Sequence, residues 1–128
     1  MGMNAEQCVD RIDELATRLE RFTEHNYNCI GDVRKAETVL EQLAALQSAA
    51  DIQALRTRVR QGVIRSLTLE AGHRIKDIMK NNMVPYYPVS QRAEWAKRVI
   101  AELEMRGVNA DDLRQQYAAA CAAAGVAV

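Results

Sequence analysis

Glu70 and His73 stand three residues apart, so on a helix they share a face, as in one half of a ferritin-like metal site. The full site takes a second such pair and two further glutamates, and this chain has only two histidines. His25 and Cys29, four residues apart, form another metal-type pair if the chain is helical there. Two ligands fall short of a structural zinc site. The expectation is no metal and no cofactor, with Glu70, His73, His25 and Cys29 as weak candidates. A cysteine nucleophile would need a histidine base brought near in space. Cys121 sits among alanines, where it reads as a small core residue. The carboxylates of Asp10, Asp13 and Glu14 surround Arg11 and read as the solvated face of a helix. No glycine-rich phosphate loop, Gly-x-Ser-x-Gly or His-Glu-x-x-His occurs. No catalytic residue is expected, and a small helical enzyme or metalloprotein is only a second alternative.

Charge is the stronger chemical signal. Seventeen basic and seventeen acidic residues leave no formal net charge, so nothing global draws the chain to nucleic acid or an anionic membrane. The distribution is uneven. Residues 1–50 hold nine acids and five bases, residues 51–80 three acids and seven bases, and residues 81–128 five of each. Arg58, Arg65 and Lys76 line up opposite the apolar stripe of the helix expected there, and Arg56, Arg60 and Arg74 flank that stripe. Such a ridge could meet phosphates, which makes a nucleic-acid-associated subunit the first alternative. Pairing with the acidic first segment is the competing reading.

The elements that must position these residues are helical. The chain has 128 residues, enough for one domain with a real core. Alanine and leucine dominate, and six glycines and two prolines are few interruptions. Cys8, Ile12, Leu15, Leu19 and Phe22 alternate steps of four and three, the mark of a heptad seam. This predicts a helix over about 4–25. Asn26, Asn28 and Gly31 are breakers, and Asp32 suits a second N-cap. Yet the seam's phase continues through Cys29, Val33, Ala36, Leu40 and Leu43. An unbroken helix with Asn26 in its seam and a hairpin turning at 26–31 both fit, and the hairpin is favoured. Helices follow over 32–48, with Ser48 to Asp51 as a restart, and over 51–80, with Gly72 as a weak point.

The Pro-Tyr loop at 81–89 excludes helix. It carries Tyr86 and Tyr87, aromatics suited either to recognition or to sealing a bundle. Ser90 should cap a fourth helix, Gly107 end it, and Asn109 open the fifth, with Val108 stapled onto Leu113. The expected fold is thus an all-α, antiparallel bundle of about five helices in one domain, 1–128. A long heptad-patterned hairpin or three-helix unit (4–80) precedes a shorter helix pair (90–124).

The three cysteines match no disulfide framework. The start lacks the apolar core of a secretory signal, and no run is long enough to span a bilayer. A cytoplasmic protein with no membrane partner is expected. In size and style the chain resembles short accessory proteins of bacteria, phages and mobile elements. The seam residues Cys8, Ile12, Leu15, Leu19, Phe22, Val33, Leu40 and Leu43 suggest self-association, with a homodimer as the expectation. The function expected is a non-enzymatic helical interaction module that binds another protein: an adaptor, small assembly subunit or inhibitor.

Overall fold

The computed structural model describes residues 2–46, 51–80 and 87–126. These form five helices: α1 (Ala5–Glu20), α2 (Ile30–Ala45), α3 (Ile52–Ile78), α4 (Val89–Met105) and α5 (Asp111–Ala124). No strand occurs among the described residues. The chain divides into two compact units, Met1–Phe22 with Asn28–Ser66, and Thr23–Tyr27 with Leu67–Val128. The division falls within α3. Among the described residues no helix is long and apolar enough to cross a membrane.

Unit 1 contains α1, α2 and the first part of α3. Asn4 opens α1 with a reciprocal capping box. Its side chain accepts from the Gln7 backbone N–H at 2.8 Å, and its own backbone N–H donates to Gln7 Oε1 at 3.0 Å. The helix ends at Glu20, five residues before the predicted end. Thr23 stops it by donating its backbone N–H and its hydroxyl to Asn26 Oδ1. Asn26 is therefore a turn organiser and not a seam residue. Asn28 adopts a left-handed φ of 67°, a conformation asparagine tolerates better than most residues.

Helix α2 begins at Ile30, before Gly31. Asp32 is thus not an N-cap but an acid in the first turn, where it favours the positive end of the helix dipole. Helices α1 and α2 pack on one another. Cys8, Ile12, Leu15, Leu19, Phe22, Val33, Leu40 and Leu43 are all buried within the single chain. The seam expected as a dimer surface is the core of unit 1. The three cysteines are free thiols, each buried.

Gly62 explains how closely α1 approaches α3. A Cβ there would lie 3.1 Å from Leu19 Cβ, too close to be accommodated without movement. Arg58 and Arg65 flank this contact. Arg58 pairs with Asp13 and Glu20 and also donates to the Thr17 hydroxyl at 3.1 Å. Arg65 Nη1 donates to the carbonyls of Leu19 at 3.2 Å and Phe22 at 2.7 Å. It thereby adds a donor to Leu19 O, which also accepts from the Phe22 N–H at 3.3 Å, and gives Phe22 O a partner.

Unit 2 contains the second part of α3, α4 and α5. Asp51, not a residue of unit 2 but the start of α3, caps that helix by accepting from the Ala54 N–H at 3.0 Å. The predicted capping residue Ser48 lies outside the described residues. Helix α4 starts at Val89 after Pro88, so Ser90 is inside the helix and not its cap. Its end is a Schellman turn. Gly107 has φ 76°, its N–H donates to Glu104 O, and the Val108 N–H reaches Leu103 O. Asn109 Oδ1 accepts from the Asp111 N–H at 2.9 Å as α5 begins. A forked Arg114–Glu104 pair, at 2.5 and 3.1 Å, then ties α5 to α4.

Replacing Gly62 with leucine should lower the stability of the chain by about 1–3 kcal/mol, the usual cost of overpacking. Urea unfolding measures it. An unchanged midpoint would mean that α1 does not press on α3 at this point.

Candidate functional site

Buried charge is concentrated in unit 2. Glu70, Asp77, Arg92 and Glu102 are each almost wholly buried, and burial of this kind requires partners. Arg92 has carbonyl partners. Its Nη1 donates to Asp77 O at 2.6 Å, Ile78 O at 3.3 Å and Lys80 O at 2.5 Å, and its Nε to Tyr87 O at 2.9 Å. The first three carbonyls are at the C-terminal end of α3, where the helix dipole favours a cation. Glu70 Oε2 receives Arg74 Nε at 3.1 Å, and Glu102 pairs with Arg106 at 2.7 Å.

Asp77 is held from two sides. Tyr27 donates its hydroxyl to Oδ2 at 2.5 Å, and Lys80 Nζ stands 2.9 Å from Oδ1. The lysine contact is one of charge only. Oδ1 is the buried side-chain atom without a hydrogen bond among the described residues. Burial, then the hydrogen bond to Asp77, pushes the Tyr27 phenol up to about 12. On α5, burial and a hydrogen bond with Cys121 likewise push Tyr117 up to about 12.

An aromatic column extends from this cluster. The Tyr27 and His73 rings stack with centroids 4.1 Å apart. The Arg74 guanidinium lies 4.5 Å from the Tyr27 ring centre and 5.2 Å from that of Trp95, within cation–π range of both. Tyr87 meets Trp95 edge to face at 5.1 Å. Tyr87 is thus half exposed yet fixed by packing, while Tyr86 lies outside the described residues.

Beside the cluster a groove of about 320 Å³ opens on the surface. Its α3 wall carries Thr68, Leu69, Gly72, His73 and Lys76. Lys80, just beyond the helix, and Glu24 and His25 of the turn complete the lining. His73 Nδ1 is 3.1 Å from Asn26 O. A carbonyl can only accept, so Nδ1 bears the proton. Among the described residues, a Cβ added at Gly72 would meet nothing within 4 Å.

The structure brings three of the sequence candidates together in this groove: His25, His73 and Lys76. The others are elsewhere. Glu70 is buried against Arg74 instead of joining His73 as a ligand. Cys29 is buried at the start of α2. Among the described residues no group of three His, Cys, Asp or Glu could hold a metal. Arg58 and Arg65 are not opposite the packed face of α3, as the helical projection has it, but at its margin, engaged with α1. Arg56 and Arg60 are exposed. Sequence reasoning missed Tyr27, Asp77, Lys80 and Arg92. A tyrosine within a breaker-rich turn and an acid at the end of a helix give no periodic signal. Arg92, close behind Pro88 at the start of a helix, is the one with a local hint, since basic residues are disfavoured there unless otherwise used.

Compared with protein-family models, curated proteins and solved structures, the chain matches none.

Two measurements test this cluster. Arg92→Leu strands several buried carbonyls, each worth about 1–3 kcal/mol, and should cost at least that much in urea unfolding. Arg92→Lys should recover only part, because one ammonium cannot span the fork of acceptors. Tyr27 and Tyr117 have raised phenol values, so the folded state holds protons that the unfolded state has released. Stability should therefore fall as pH rises from the ordinary value of 10.0 through about 12. Tyr27→Phe should remove its share of that fall; an identical alkaline profile in the variant would refute the Tyr27–Asp77 bond.

Proposed function

We propose that this chain is a non-enzymatic helical interaction module that binds another protein through the surface of its helices. The carrying observation is the division of labour among its charged groups. Those that are buried are fastened to the chain itself: Arg92 to carbonyls, Glu70 to Arg74, Glu102 to Arg106, Asp77 to Tyr27. An open groove lined by His73, Lys76 and Lys80 lies beside them. Groups locked in this way act as struts, and the remaining polar surface is free to recognise.

Two observations favour a protein partner over nucleic acid. Arg58 and Arg65, the centre of the expected phosphate ridge, are spent on α1. The surface also mixes cations with apolar side chains, including half-exposed Met79 and Tyr87. The short turn between α1 and α2 supports reading them as an antiparallel hairpin, with the heptad seam as its internal contact. A second copy of the chain would then have to associate through some surface other than the seam.

The reading is tested with a photo-crosslinking residue placed in turn at exposed positions Lys35, Lys76, Lys97 and Gln115, in the cells that make the protein. A discrete protein adduct from at least one position is the expected result. Adducts that disappear with nuclease, or none from any position, would overturn it.

A further inference from the structure

Helix α3 has two glycines in its interior, and only one is explained by the chain's own packing. Glycine in a helix is destabilising relative to alanine. At Gly62 that cost has a reason, because Leu19 of α1 lies where a side chain would go. At Gly72 nothing among the described residues stands within reach of a Cβ, the backbone is ordinary helix, and the residue lines an open groove. Glycine at such a place lets another chain approach the backbone.

The neighbours of the two glycines are related in reverse order, with a cation four residues before Gly62 and four residues after Gly72. Arg58, Gly62, Arg65, Leu69, Gly72 and Lys76 follow one another in alternating steps of four and three, the spacing of a helix–helix seam. In unit 1 the first three receive α1. Leu19 lies on the glycine, while Asp13 and Glu20 hold Arg58. In unit 2 the last three line the groove. They offer the same elements: a bare glycine for an apolar side chain and a cation for a carboxylate. Lys80 adds a donor along the edge, and His73, with its proton on Nδ1, offers Nε2 as an acceptor.

We infer that the groove over Leu69, Gly72 and Lys76 is the docking site for an acidic amphipathic helix of a partner protein, which lies on Gly72 as α1 lies on Gly62. The inference rests on the reading of the chain as a protein-interaction module and assigns that reading a surface. Charge complementarity identifies the occupant, because the lining carries Lys76 and Lys80 against one acid, Glu24, although Lys80 shares its charge with the buried Asp77. A second copy's α1 is a poor occupant. Its apolar face is already buried in its own unit 1.

The test is a selection of phage-displayed random peptides on the full-length protein, followed by binding measurements on the enriched peptides. The expected clones place Asp or Glu three or four residues from Leu or Met, in a helical pattern. Their affinity should fall about tenfold or more in Gly72→Leu and in Lys76→Glu. Gly72→Ala controls for folding: it should raise the thermal midpoint while weakening the peptides. Clones indifferent to Gly72→Leu, or without acidic residues, would overturn the inference. So would a DNA oligonucleotide that displaces the peptides and shares their dependence on Lys76, or a dimer in light scattering that Gly72→Leu abolishes. Protein adducts from Lys35, Lys97 or Gln115 together with such a negative result would leave the module reading intact and remove only the groove.

Discussion

The end of α3 depends on one buried guanidinium. A helix that terminates inside a protein leaves its last carbonyls in need of partners, and Arg92 donates from the first turns of α4 to two of them, Asp77 O and Ile78 O, and to Lys80 O just beyond the helix. The same side chain holds Tyr87 O, which fixes where the chain re-enters helix. With α4 placed, Trp95 comes beside Arg74, Arg74 beside Tyr27, and Tyr27 reaches Asp77. A buried cation held by carbonyls alone is costly to desolvate. The oriented dipoles at the helix end offset that cost, and they make the position intolerant of anything but arginine.

The same economy governs unit 1. The guanidinium of Arg58 holds the Glu20 carboxyl below the usual carboxylate range. Arg65 closes the end of α1 with its two carbonyl contacts. Positive residues of α3 thus add to the backbone cap that Arg21 gives the end of α1. Exposed pairs of this type contribute little each. Their importance is in register, since Gly62 permits close approach at only one height along the helix.

Helix existence was legible in the sequence because long periodic segments with few glycines and prolines have few alternatives. Gly107 was also legible, as it acts through local backbone geometry; Asn109 stands one residue before the N-cap, Ala110, and acts through its side chain. The end of α1 was not legible. Its apolar phase runs on to Leu43, while the Thr23–Asn26 side-chain bonds and the left-handed Asn28 shape the turn that follows the helix. The burial of the seam could not be read either, since an apolar stripe looks the same whether it faces its own chain or another. Of the groove's lining, the sequence offers His25, His73 and Lys76 as candidates; what adjoins Gly72 depends on packing, which leaves no periodic signal.

The three buried thiols have a practical meaning beyond packing. Cys8 and Cys29 are within unit 1 and Cys121 within unit 2. A thiol enclosed this fully reacts only when its surroundings open. The chain therefore carries native reporters in both of its parts, and the order in which they become modified records which part loosens first.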